Sequence, residues 1–336
     1  MNNPEVIVIT GASGGVGRAT AREFARRRRE DTRIALLARN VDALFAAKRE
    51  IESYGGKALV IPTDVSKEDQ VFTAAERAAK ELGPIDVWIN NAMVSAYAPF
   101  TALTPEEFKH ITDVTYHGCV FGTMAALRQM LPRNKGTIVQ VGSALAKRSI
   151  PLQSAYCGAK HAVAGFTESI RSELFHMKSD VHITIVHLPG VNTTQFEWTL
   201  NKMPHKNRPV GAIYQPEVAA DAIFYAAHHK RKEFLVGWPT VESTQVQKLA
   251  SSALDHYLAS AAWDGSQRPE PADPKAPTNF WKPVRGDRGA HGPFDDQSRS
   301  RSLQVWANKN RNLLAITAAA ASLTAFALTR KRNPSD

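Results

Sequence analysis

Short, unbroken apolar runs alternate along this chain with longer stretches in which apolar residues recur every three or four positions. The first pattern predicts strands buried on both faces of a parallel sheet, and the second predicts helices with one apolar face. Strands are expected at residues 6–9, 33–38, 57–61, 85–89, 136–141, 182–187 and 233–236. Helices are expected between them, at about 18–29, 41–54, 67–82 and 104–130, from Tyr156 through Leu174, and after Pro216. The start of the fourth is marked by Thr104-Pro105-Glu106-Glu107, a capping box with proline at the first helical position. Regular alternation of strand and helix predicts an α/β fold, a doubly wound parallel sheet of about seven strands.

The alternation stops near residue 240. Residues 242–262 keep a helical period, with Val246, Leu249, Leu254 and Leu258 able to form an apolar face. From 264 to 302 prolines, glycines and charges dominate, which predicts an extended or partly disordered arm. Phe280, Trp281 and Phe294 are too apolar for a pure spacer, so the arm is expected to dock on the domain or on a partner subunit. Residues 313–329 form an uncharged, alanine-rich run between basic flanks. As a helix it would span roughly 25 Å, the short limit for a bilayer. It is read as a C-terminal membrane anchor with Trp306 at the interface; the alternative is a helix buried between subunits of a homo-oligomer. The segments are therefore 1–262 (catalytic domain), 263–308 (arm) and 309–336 (hydrophobic helix).

In a doubly wound sheet ligands bind beyond the carboxyl ends of the strands. After the first strand comes Thr10-Gly11-Ala12-Ser13-Gly14-Gly15-Val16-Gly17, which leads into a helix. Glycines there let the backbone approach a pyrophosphate, while the helix N-terminus supplies N–H donors and a favourable dipole. Arg39 follows the second strand, where an acid would bind the ribose hydroxyl of NAD; a guanidinium instead suits the 2′-phosphate of NADP. Asp64-Val65 and Asn90-Asn91-Ala92 follow the third and fourth strands. Tyr156 and Lys160, four apart, lie on one helix face. A nearby ammonium favours the phenolate and is expected to bring a phenol toward the working range for acid-base catalysis.

Composition narrows the classes. With 336 residues, 43% hydrophobic and 22% charged, the chain can bury a sizeable core. The net charge of +10 is not gathered into a stripe with interleaved aromatics, and the run 26–29 reads as a solvated helix end, so no nucleic-acid partner is expected. Cys119 and Cys157 give neither a disulfide framework nor a metal spacing, and His110, His117 and His161 lack partner ligands, so no metal is expected. The start of the chain has no basic-plus-apolar leader. Secretion is therefore not expected, and the cofactor requirement leads to the expectation of a catalytic domain on the cytoplasmic side, tethered to a membrane or, alternatively, soluble.

Taken together, Thr10-Gly-x-x-x-Gly15-x-Gly17, Asn90-Asn91-Ala92, Ser143, Tyr156-x-x-x-Lys160 and Pro189-Gly190 resemble the short-chain dehydrogenase/reductase family, over about residues 4–240. The resemblance implies a Rossmann fold, NADP rather than NAD as cofactor, and hydride transfer between that cofactor and an alcohol or carbonyl. It implies that Tyr156 is the general acid/base, that Lys160 lowers its pKa and holds the nicotinamide ribose, and that Ser143 donates to the substrate oxygen. Gly11, Ser13, Gly15, Val16 and Gly17 would wrap the phosphates. Asp64 and Val65 would contact the adenine, Asn91 its ribose, and Val191 and Thr193 the carboxamide. Two positions depart from the family. Met93 replaces a glycine, and Thr115 stands where the family has a catalytic Asn that holds a water behind the Lys. A modified relay through Thr115 is expected. Phe196, Trp198 and Met203, in the segment after Pro189-Gly190, suggest an apolar substrate such as a ketone, aldehyde, steroid or lipid. The alternative function is a weakly catalytic, membrane-localised NADP-binding scaffold or sensor. A sugar-nucleotide epimerase is disfavoured because the chain after the sixth strand leads to an arm rather than a substrate domain.

Overall fold

A computed structural model describes residues 4–249, 251–314 and 316–317. Among these residues one seven-stranded sheet is formed by β1 (Glu5–Thr10), β2 (Thr32–Ala38), β3 (Lys57–Pro62), β4 (Val87–Asn90), β5 (Thr137–Ser143), β6 (His182–Leu188) and β7 (Glu233–Leu235). Their order is β7-β6-β5-β4-β1-β2-β3, and every neighbouring pair is parallel. The longer helices among the described residues are α1 (Gly15–Arg28), α2 (Val41–Ser53), α3 (Glu68–Leu82), α4 (Pro105–Thr112), α5 (Gly118–Met130), α6 (Ser154–His176), α7 (Pro216–His228), α8 (Trp238–Leu249), α9 (Ser251–Gly265) and α10 (Leu303–Lys309).

Successive side chains of a strand point to opposite faces, and both faces of β1 are buried. Ile7 and Ile9 join Phe24 of α1, Leu44 of α2 and Ile223 of α7 in one core. Val6 and Val8 join Val71 of α3, Ala125 of α5 and Trp88 in the other. The strand order reverses between β1 and β4, so the crevice at their carboxyl ends is the natural ligand site. The arginines closing α1 are paired: Arg26 and Arg27 with Glu23, Arg27 also with Asp221, and Arg28 with Glu5.

Three features of these elements matter for function. The helix expected over 104–130 is interrupted by a wide π turn, Asp113–His117, which contains Thr115. The stretch 242–262 is helical on both sides of residue 250, as α8 and α9. The arm is extended, as expected, and it docks on its own domain. Gln267–Pro271 pairs antiparallel with His205–Asn207, and Ser298–Arg299 pairs parallel with Ile213–Tyr214. Phe280 and Phe294 are both 2% exposed. Burying a phenyl group contributes about 1.5–3 kcal/mol, which explains why a proline-rich segment lies down on the sheet domain. Among the described residues no helix is long and apolar enough to cross a membrane. The anchor expected at 313–329 falls outside the described residues, apart from Leu313, Leu314, Ile316 and Thr317, and Leu313, Leu314 and Ile316 are exposed.

Candidate active site

The turn after β1 is held from below by the loop after β4. Thr10 Oγ1 accepts from the backbone N–H groups of Asn91 (2.9 Å) and Ala92 (3.0 Å), and the Asn91 amide nitrogen donates back to the carbonyls of Thr10 (3.0 Å) and Gly11 (3.2 Å). Gly17 cannot be replaced in this packing, because a Cβ there would lie 2.3 Å from the Gly11 carbonyl oxygen. The N-cap of α1 is Gly14, which offers no side-chain cap. The first N–H groups of the helix are therefore free of a side-chain acceptor, and their partial charge suits an anion.

Ser143 ends β5, and its Oγ accepts from the Leu145 N–H at 3.1 Å. Tyr156 and Lys160 project from the first turns of α6, with Lys160 Nζ 5.6 Å from the centroid of the Tyr156 ring. Gly11, Ser13, Gly15, Val16, Asn91, Ser143, Tyr156, Lys160, Val191 and Thr193 all line one cavity of about 680 Å³. Arg39, Asp64 and Val65 line a smaller cavity of about 80 Å³. Gly11, Ser13, Ala92 and Met93 border both, so the two form one groove across the carboxyl ends of the strands. Its uncapped helix start and glycine-lined floor suit a dinucleotide.

Several expectations are modified by the geometry. The Asn91 amide nitrogen is committed to the turn, which leaves its oxygen for other contacts. Asn90 lies in the core, accepting from Trp88 Nε1 (2.8 Å) and donating to Gln140 (2.9 Å) and Thr123 (3.1 Å). Thr115 is 1% exposed, and its hydroxyl accepts from the Val94 N–H (3.2 Å) and donates to the Val94 carbonyl (2.9 Å). Burial pushes the Tyr156 phenol above its ordinary value, with a hydrogen bond from Ser143 acting the other way. Burial likewise pushes the Lys160 ammonium down, to about 8.

Arg39 does not face open solvent at the end of β2. Its guanidinium donates to the main-chain carbonyls of Asn279 (2.5 Å), Phe280 (3.2 Å) and Trp281 (3.0 Å) and to Asn279 Oδ1 (3.2 Å). The arm thus forms part of the groove wall, together with Pro283. The apolar wall of the larger cavity is formed by Tyr97, Phe196, Trp198, Val246, Leu254 and Leu258. Met203 instead packs in the cluster behind Phe196. The apolar face of residues 242–262 was a readable signal for this wall, but nothing in the order of residues placed it over Tyr156. Tyr97 had no local signal, and for the arm only its apolar residues, Phe280, Trp281 and Phe294, signalled docking, not where it would dock.

Comparison with known proteins agrees with this architecture. The sequence profile described as short chain dehydrogenase matches residues 5–205. An uncharacterized oxidoreductase of Bacillus subtilis, YxnA, is 32% identical over 333 residues, covering 97% of this chain and 91% of that protein. The 3-ketodihydrosphingosine reductase of Bos taurus is 29% identical over 225 residues, 65% of this chain and 66% of that protein. The alcohol dehydrogenase of the archaeon Thermococcus sibiricus, solved with 5-hydroxy-NADP, superposes with a TM-score of 0.60 at 25% identity, over 70% of this chain and 96% of that one. The chain belongs to the short-chain dehydrogenase family and is an oxidoreductase of that family.

Proposed function

We propose that this chain interconverts an alcohol and a carbonyl on a largely apolar, lipid-like substrate, with NADP(H) as its cofactor. The observation that carries this reading is the single cavity in which the hydroxyls of Ser143 and Tyr156 share walls with Phe196, Trp198, Val246, Leu254 and Leu258. Pockets of this kind bind ligands mainly through apolar walls, with a few polar groups fixing orientation. A relative named as a ketodihydrosphingosine reductase supports the lipid-like class. Arg39 at the end of β2 and a structural neighbour holding an NADP derivative support the phosphorylated cofactor.

In the reductive direction Tyr156 donates its phenolic proton to the carbonyl oxygen, and in the oxidative direction the phenolate takes it back. Ser143 donates a hydrogen bond to the same oxygen and stabilises the charge that develops there. When bound, the cofactor's nicotinamide supplies or accepts the hydride. Lys160 and Asn91 would hold its two riboses, Asp64 and Val65 its adenine, and Val191 and Thr193 its carboxamide. The turn 11–17 and the start of α1 would hold its pyrophosphate. The test is NADPH oxidation, followed by absorbance, with ketones and aldehydes of increasing chain length. kcat/KM is expected to rise with apolar length; a preference for short polar carbonyls, or turnover with none of them, overturns the substrate reading.

A further inference from the structure

The arm crosses the cofactor groove and binds it through the same kind of group the cofactor carries. At one end the Nη donors of Arg39 meet three main-chain carbonyls and one amide oxygen of residues 279–281. At the other end the carbonyl of Gly289 accepts from the Gly15 N–H at 3.4 Å, at the first turn of α1. Between these points Asn40 donates to the carbonyls of Val284 (2.6 Å) and Gly286 (3.0 Å), and Asp287 pairs with the buried Arg18. The crossing is pinned on both sides. Phe280 is buried against His110, whose Nε2 lies 2.9 Å from the Phe280 carbonyl, and Phe294 N–H donates to Asn192 Oδ1 at 3.0 Å.

We propose that residues 279–289 are a strap that sets cofactor affinity and discrimination by competing, carbonyl for phosphate oxygen, for Arg39 and for the N-terminus of α1. The inference rests on the NADP(H) reading above. Arg39 is a bidentate donor well suited to a phosphate, yet its Nη hydrogens already have acceptors, so a 2′-phosphate must displace the strap there. The pyrophosphate, common to both nicotinamide cofactors, must displace it at Gly289. The apparent affinity is then the intrinsic affinity reduced by the fraction of molecules in which the strap is seated. Loosening each end separately has a different signature.

At the Arg39 end, Trp281 stacks on His110 at 4.4 Å and is 53% exposed, so Trp281→Ala loosens the strap without opening the core. At the α1 end, Gly289 has φ +71° with open space around it, so an added methyl strains only the strap backbone. Asp287→Ala removes an anchor there, and Arg18 keeps Glu50 as a partner.

The experiment is fluorescence titration of the full chain and its variants with NADPH and with NADH. Trp281→Ala is expected to tighten NADPH at least threefold and leave NADH within twofold. Asp287→Ala combined with Gly289→Ala is expected to tighten both. Arg285 and Arg288 are exposed on the strap, so trypsin reports its seating: NADPH is expected to speed cleavage at these two sites. Weaker NADPH binding in either variant, unchanged binding in both, or protection from trypsin by NADPH overturns the strap while leaving the cofactor reading in place. If neither cofactor binds the wild-type chain or any variant, the cofactor reading falls and the strap with it.

Discussion

Lys160 Nζ donates to the main-chain carbonyl of Val141 at 2.7 Å, from a side chain that lies 4% exposed behind the Tyr156 ring. One acceptor does not replace the hydration of an ammonium, so burial pulls its pKa down to about 8. The charged form is therefore present below pH 8 and is lost as pH rises through that value. If Lys160 works as an ammonium, kcat/KM falls on an alkaline limb centred near pH 8. Lys160→Arg, whose guanidinium stays charged, should remove that limb even if it lowers the plateau. A pH profile with no break between 7 and 9 would count against the role.

Tyr156→Phe removes the proton and keeps the ring. Turnover is expected to fall by about 10²–10⁴-fold, while NADPH fluorescence titration gives a Kd within a few-fold of wild type. Retained turnover in this variant sinks the mechanism.

Thr115 separates a structural role from a relay. Thr115→Val leaves the buried N–H and carbonyl of Val94 without a partner and should cost about 1–3 kcal/mol, read as a shift in the urea midpoint; Thr115→Ser should recover most of it. The relay reading adds a kinetic effect, a lower kcat and an altered pH profile in Thr115→Val that Thr115→Ser restores. Thr115→Val with wild-type kcat and pH profile, at a temperature where it is folded, would remove the relay.

Asn90 belongs to a buried network with Trp88, Gln140 and Thr123. Asn90→Ala strands several polar groups at once and should destabilise the fold by about 2–4 kcal/mol. Equilibrium unfolding checks this, and a loss below 1 kcal/mol would show that water replaces the amide.

Glu233 Oε2 lies 3.4 Å from His187 Nε2 and 2.8 Å from Lys147 Nζ, and these two neighbours, His187 first, hold its carboxyl down, at about 2. His187 in turn has its Nδ1 3.1 Å from the Ser143 carbonyl, so this pair braces the strand end that carries Ser143. A carboxylate whose folded pKa is depressed stabilises the fold above its ordinary value of 4.5, and that contribution is lost as pH falls through about 2. The side chain is 35% exposed, so solvent screening keeps the effect modest. Glu233→Gln should flatten the acid limb of the thermal midpoint between pH 4.5 and 2.

Much of this was legible along the chain. Strands at residues 6–9, 33–38 and 182–187 were readable because a strand buried on both faces is apolar at most of its positions, without the three- or four-residue period of a helix, and no tertiary fact is needed to see that. The turn from Thr10 to Gly17 was equally plain, since its demand for glycine comes from the backbone at that spot. Tyr156, Lys160 and Ser143 could be named from motif order, and the cavity brings them together. The π turn at Thr115 was hidden, because a wide turn and a regular helix share the same apolar period over five residues.

What the sequence by itself determined is the parallel sheet, the glycine-rich turn after its first strand and the side chains proposed to react, all of which depend on local period, motif order and local backbone geometry. Only the tertiary structure decided what meets Arg39. Its partners are main-chain carbonyls from residues 279–281, about 240 positions away. A carbonyl is the one polar group every residue carries, so no side-chain pattern could have marked these out.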